Sequence, residues 1–193
     1  DPDLSVANDF GQNRLYRNRG EGTFEDVTAS SGATDAGFGM GISWGDVDGD
    51  GRLDQYVSNM YSTAGNRLLS AEDEPRLHKM ARGNTLLLNR KEGTFEDVSE
   101  KAGVGRAGWA WSNSFLDYNS DGYPDLYVAN GHIDEDIGRF DPQATYGQRD
   151  QLYLNDGQGR FTDVSEAAGL DLTIDLVGRG SAVADYDNDG DAD

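Results

Sequence analysis

The nine residues Asp46-Val-Asp-Gly-Asp-Gly-Arg-Leu-Asp54 put carboxylates at positions 1, 3, 5 and 9 around a glycine at position 6. Like charges this close repel one another strongly unless something positive sits between them. The glycine permits a turn that a Cβ would resist, and a strand-like Gln-Tyr-Val run follows at once. The pattern returns as Asp117, Asn119, Asp121, Gly122 and Asp125, and again as Asp185, Asp187, Asp189, Gly190 and Asp193. Any fold this chain takes must present three acidic turns in equivalent surroundings.

A second marker keeps nearly the same period. Asn13-Arg-Leu-Tyr-Arg-Asn18 precedes Gly22-Thr-Phe-Glu-Asp-Val27, Asn84-Thr-Leu-Leu-Leu-Asn89 precedes Gly93-Thr-Phe-Glu-Asp-Val98, and Gln151-Leu-Tyr-Leu-Asn155 precedes Gly159-Arg-Phe-Thr-Asp-Val164. Phe24, Phe95 and Phe161 are spaced 71 and 66 residues apart, and the acidic turns start 71 and 68 apart. Each unit reads as four short strands. The first enters the acidic turn (38–45, 109–116, 177–184) and the second leaves it (Leu53–Asn59, Leu126–Asn130, with Leu4–Asn8 as the N-terminal counterpart). The third is the Leu/Tyr run, and the fourth carries Phe-x-Asp-Val. Hairpin turns at 18–22 and 155–159 join third to fourth, where Gly and Asn supply positive φ. Ser30–Gly32, Glu100–Gly103 and Glu166–Gly169 read as single helical turns closed by glycine. Repeated short β units predict an all-β, propeller-like array of four-stranded blades, about three per chain. The expected units are about 1–45, 46–116 and 117–184, with a partial one at 185–193.

The second-to-third strand connection is short in the first unit but spans 60–83 and 131–149 in the others. Leu68, Leu69, Leu77 and Met80 are expected on one face of a helical excursion broken by Pro75. Asp1-Pro2-Asp3-Leu4 matches Tyr123-Pro124-Asp125-Leu126, which makes Asp3 a ninth-position residue like Asp193. The two ends therefore read as complementary halves of one blade, and the chain as a processed product or excised piece. Copies that complete one another head to tail, in a ring or a filament, are the expectation that follows.

Hard oxygen donors at alternating positions suit Ca²⁺, which takes six to eight oxygens in a flexible shell. The formal charge is −20, from 36 acidic against 16 basic residues, and three Ca²⁺ would still leave it near −14. Nucleic acid and anionic membranes are thereby excluded as partners. The absence of cysteine removes disulfides and thiolate metal sites. Millimolar Ca²⁺ is found mainly outside cells, so an extracellular or periplasmic location is expected, with no membrane insertion.

Gly45-Asp-Val-Asp-Gly-Asp-Gly-Arg-Leu-Asp54, preceded by Phe38-Gly39, resembles the FG-GAP/VCBS repeat of the integrin α-subunit propeller. Leu-Tyr-Val-Ala-Asn, Leu-Tyr-Leu-Asn, Phe-x-Asp-Val and Asn130-Gly-His-Ile133 are similar to bacterial FG-GAP proteins associated with ASPIC domains. The Phe-Gly pair is replaced by Trp109-Ala110 and Val177-Gly178 in later units. The resemblance implies Ca²⁺ held by the side chains of Asp46, Asp48, Asp50 and Asp54 with the Arg52 carbonyl. It implies a second set of Asp117, Asn119, Asp121 and Asp125 with the Tyr123 carbonyl. The third is Asp185, Asp187, Asp189 and Asp193 with the Asp191 carbonyl. Asn119 lowers the charge of the second set and should weaken it.

An EF-hand would need a bidentate Glu at position 12, where Val57 and Val128 stand in strand patterns. Metal-free Asx turns would also use these residues, though three matching carboxylate sets favour metal. A glycosidase would set one carboxylate pair apart, whereas these are distributed over repeats. His78 and His132 lack a partner motif and read as loop histidines making local hydrogen bonds. Trp44, Trp109 and Trp111 form either a sugar-stacking face or, more in keeping with strand spacing, packing between blades. The expectation is a calcium-binding, non-catalytic scaffold for adhesion that presents its insertions to a protein partner, or associates with further copies head to tail, with carbohydrate as a further candidate ligand. The alternative is a carbohydrate-binding module or a propeller domain accessory to an enzyme.

Overall fold

The structure, a computed structural model, describes residues 1–61, 82–169 and 171–192. The helical excursion expected around Leu68, Leu69, Pro75, Leu77 and Met80, together with His78 and Asp193, lies outside the described residues.

The described chain is all-β, built from three antiparallel meanders. The first sheet contains β1 (Leu4–Val6), β2 (Arg14–Gly20) and β3 (Thr23–Asp26). The second contains β4 (Gly41–Gly45), β5 (Asp54–Ser58), β6 (Thr85–Asn89) and β7 (Phe95–Asp97). The third contains β8 (Ala110–Leu116), β9 (Asp125–Asn130), β10 (Gln151–Asn155) and β11 (Phe161–Asp163). The four-strand order matches the sequence reading, with the Leu/Tyr strands and Phe-x-Asp-Val strands as neighbours. Acidic turns join β4 to β5 and β8 to β9, with Gly45 paired to Asp54 and Leu116 to Asp125. The first of each pair is shorter than expected, because pairing begins at Gly41 and Ala110 and not at 38 or 109.

The segment 177–184 departs from the expectation of a strand. It follows a bridge between Gln148 and Leu176, with Gly178 N–H donating to Asn130 O at 2.8 Å, but forms no ladder of its own. A strand needs a hydrogen-bonding neighbour, and among the described residues none lies along it. Its contact with β8 is made through side chains, the Ser181 hydroxyl lying 2.8 Å from that of Ser114.

The recurrent Asp-Val-Ser/Thr is explained by one local device. Three single-turn helices, α1 (Thr28–Ser31), α2 (Ser99–Ala102) and α3 (Ser165–Ala168), follow the last strand of each sheet. The hydroxyls of Thr28, Ser99 and Ser165 accept the N–H of Leu15, Leu86 and Leu152 at 2.9, 2.9 and 3.0 Å. The same three hydroxyls donate to Asp26, Asp97 and Asp163 on the last strand, so each turn is tethered to the last two strands of its own sheet. Gly32 and Gly103 close the first two turns in the left-handed region, whereas Gly169 closes the third with extended ψ.

Apolar faces of adjacent sheets pack on one another. Leu15, Val27 and Ala33 meet Leu87, Trp44 and Phe95 at the first seam. Val47, Leu86, Leu88 and Val98 meet Phe115, Leu126 and Phe161 at the second. Every residue of β5 is buried, as expected of a strand covered on both faces. A polar core accompanies these seams: the buried Asp35 carboxylate accepts Asn13 Nδ2 at 3.0 Å and Asn59 Nδ2 at 2.9 Å.

Candidate metal sites in the acidic hairpins

Each acidic turn is first of all a backbone-folding device. Asp46 accepts the N–H of Asp50 at 3.0 Å and of Gly51 at 2.8 Å on its two oxygens. Asp117 does the same for Asp121 and Gly122 at 3.0 and 2.9 Å, and Asp185 for Asp189 and Gly190 at 3.1 Å each. Asp50, Asp121 and Asp189 each accept an N–H two residues on, from Arg52, Tyr123 and Asp191. Gly51, Gly122 and Gly190 take φ of 85°, 89° and 99°, where a side chain is penalised.

These turns draw the position 1, 3 and 5 side chains together. One ligand oxygen from each of Asp46, Asp48 and Asp50 lies within 4.8 Å of the others, and the same holds for Asp185, Asp187 and Asp189. In the second turn Asn119 interrupts the carboxylate set and donates from Nδ2 to Asp121 at 2.8 Å. The ninth-position carboxylates are placed differently. Asp54 is fully buried, accepting Val47 N–H at 2.9 Å and Asn89 N–H at 2.7 Å. Asp125 repeats this with Tyr118 and Asn155 at 3.1 and 2.8 Å. Both therefore join the turn to the next strand of the sheet, a role their position in the motif did not announce.

Arg52, Tyr123 and Asp191 stand at position 7 of the three turns. The Arg52 side chain pairs with Asp50 and donates to Asn89 O at 2.9 Å. The Tyr123 ring packs under Gly157, and the Asp191 carboxylate accepts the Ser120 hydroxyl at 3.4 Å. Arg90, 42 residues from Asp48, lies 3.3 Å from its Oδ2. A partial counter-charge from a distant strand was not readable from the spacing of the acids.

Electrostatics mark the first turn most strongly. Burial, reinforced by Asp48 and Asp50, pushes the Asp54 carboxyl up to about 6. Burial also raises Asp48, with Asp50 adding to it, and raises Asp125. Raised carboxyls beside other carboxyls are what desolvated like charges produce. The Asp48 Oδ1 atom is buried and has no hydrogen-bond partner. A buried unpaired carboxylate oxygen is costly, and a hard cation between Asp46, Asp48 and Asp50 would satisfy it. The donor set is all oxygen, as Ca²⁺ requires, so the residues fit that ion.

The aromatic candidates are otherwise engaged. Trp44 packs on Phe95 with ring centroids 6.1 Å apart. Trp109 meets the His132 ring at 3.9 Å, and Trp111 lies beneath the Arg179 guanidinium at 4.3 Å while donating to Gly131 O. His132 accepts Asp134 N–H on Nδ1 at 3.0 Å, and burial lowers its pKa. None of the described helices is long and apolar enough to cross a membrane.

A family model described as FG-GAP-like repeat matches residues 1–57, 69–128 and 138–193. Cartilage acidic protein 1 of Homo sapiens is 40% identical over 58 residues, which is 30% of this chain and 9% of the human protein. Cartilage acidic protein 1 of Xenopus tropicalis is 36% identical over 58 residues, with the same shares. The match thus spans about a tenth of the length of either relative.

Proposed function

The chain belongs to the FG-GAP-like repeat family, and from that premise we propose that it is a calcium-binding, non-catalytic scaffold. It works outside the cytoplasm in adhesion, presenting the 60–83 and 131–149 insertions to a protein partner. The observation that carries this reading is the buried, unpaired Asp48 Oδ1 beside Asp46 and Asp50. Asp46, Asp48 and Asp50 would hold the ion in the first turn, Asp117, Asn119 and Asp121 in the second, and Asp185, Asp187 and Asp189 in the third. A bound Ca²⁺ supplies positive charge where the chain concentrates carboxylates, so that binding energy becomes folding energy.

The chain's own contribution is pre-organisation. Its turns are closed by hydrogen bonds that Asp46, Asp117 and Asp185 accept from backbone N–H groups, so the side chains at positions 3 and 5 are already converging. Titration calorimetry and thermal unfolding with Ca²⁺ test the proposal. At a hundredfold excess over Kd, one occupied site adds about 2.7 kcal/mol, which raises Tm by about 5 to 11 °C in a domain of this size. An unchanged Tm and no binding heat at millimolar Ca²⁺ would remove the basis for it.

A further inference from the structure

The first acidic hairpin closes its own backbone, but the side chains at its third and fifth positions are held from outside it. Arg90 stands just past β6, in the turn that leads to β7, where its N–H donates to Thr94 O at 2.6 Å. Its Nη1 lies 3.3 Å from Asp48 Oδ2, while its Nε and Nη2 meet Glu96 Oε2 at 2.9 and 2.8 Å. Glu96 is itself fixed on β7, opposite Leu88 in the ladder. Arg52 makes a second clamp, pairing with Asp50 Oδ2 while its Nε donates to Asn89 O at 2.9 Å. Asn89 and Arg90, adjacent at the end of β6, thereby hold both carboxylates.

Each clamp takes one oxygen and leaves the other. Asp50 Oδ1 accepts the Arg52 N–H, whereas Asp48 Oδ1 is buried with no hydrogen-bond partner among the described residues. A carboxylate gripped at one oxygen has the direction of its other oxygen fixed, and such outer partners are what orient metal-binding carboxylates. The charge of an arginine would by itself repel a cation. Here Glu96 lies against it, so the pair is close to neutral and its effect on the hairpin is one of geometry. The second hairpin has no such arrangement. Asp156 follows Asn155 as Arg90 follows Asn89, and its carboxylate accepts the N–H groups of Gln158 and Arg160 in its own turn, at 2.8 and 3.2 Å. The third-position side chain there, Asn119, donates to Asp121 at 2.8 Å.

We propose that Arg90 is a positioning residue for the first hairpin: by holding Asp48 Oδ2 it keeps Oδ1 free for a cation shared with Asp46 and Asp50, and so makes this hairpin bind Ca²⁺ more tightly than the second. The guanidinium suits the task because its fixed fork of donors spans two carboxylates at once, which the single ammonium of a lysine does not. The inference rests on the calcium reading and deepens it, since it says which turn fills first and which distant side chain sets that order.

The test is a Ca²⁺ titration of the full chain followed by the amide resonances of Gly51 and Gly122. Their N–H groups donate to Asp46 and Asp117, so they report the two hairpins separately. In the wild type Gly51 is expected to respond at lower Ca²⁺ than Gly122. Arg90→Met combined with Glu96→Gln leaves the net charge unchanged and should weaken binding at Gly51 about tenfold, with Gly122 unmoved. Arg90→Lys keeps the charge but not the fork, and should also weaken binding at Gly51 alone. Both positions are exposed, and amide dispersion in chelator checks that each variant is folded. Unchanged affinity at Gly51 in the double variant, a lysine that binds as the wild type does, or an equal loss at both hairpins overturns the role of Arg90 alone. A wild type in which neither amide responds overturns the calcium reading, and this inference with it.

Discussion

Replacing Asp54 by alanine separates the structural task of the acidic hairpin from its metal chemistry. The Asp54 carboxylate is fully buried and is the acceptor for Val47 N–H at 2.9 Å and Asn89 N–H at 2.7 Å. Removing it leaves two buried donors unpaired, at about 1–3 kcal/mol each, so the expected loss is about 2–6 kcal/mol. For a domain of this size the midpoint of that range lowers Tm by about 10 °C. Asp54→Asn keeps one acceptor oxygen and should lose about half as much. The assay is thermal unfolding in excess chelator, where any role as a metal ligand is silent. Asp46→Ala is the contrast: it frees two donors as well, but in an exposed turn where water replaces the lost acceptor. Its cost in chelator should be about 1 kcal/mol or less. If Asp54→Ala melts with the wild type under these conditions, or Asp46→Ala costs as much, the reasoning from burial is wrong.

Acidity gives a second handle. The folded-state pKa of Asp54, about 6, lies above its ordinary value of 3.8, so the folded state holds the proton more tightly than the unfolded one. Stability of the metal-free protein from this group is full below the ordinary value and is lost as pH rises through about 6, and Asp48 and Asp125 act in the same direction. Cation binding needs ionised carboxylates, and burial raises the pKa of Asp48, one of the three that would hold the ion, so apparent Ca²⁺ affinity should fall as the pH drops. Melts and titrations across that range check both signs. Asn155→Ala should cost about 2–4 kcal/mol by unpairing the carbonyls of Val47 and Pro124, while Asn89→Ala, which frees only that of Leu53, should cost less.

The repeat, the acidic turns and the four-strand meander were legible in the chain because they are local. A hairpin is specified by its turn residues and by the strands on either side, and both lie within a few tens of residues. The Gly51, Gly122 and Gly190 turns and the Ser/Thr-closed helical turns are of this kind. The family resemblance rested on the same short segments and led to the same fold.

What the chain could not announce is what packing brings alongside. Residues 177–184 carry a strand pattern but form no strand among the described residues, because a ladder requires a neighbour that sequence alone does not supply. Asp46 and Asp54 are the same residue type in one motif, yet one lies in an exposed turn and the other is sealed beneath Val47 and Asn89. Burial is a property of the assembled seam, which is why the raised carboxyls, the unpaired oxygen of Asp48 and its distant neighbour Arg90 emerge only in three dimensions. The sequence determined how many acidic turns there are and where they fall. Tertiary structure decided which carboxylates face solvent, which bind backbone and which keep a buried oxygen without a hydrogen bond, since desolvation depends on what surrounds a charge.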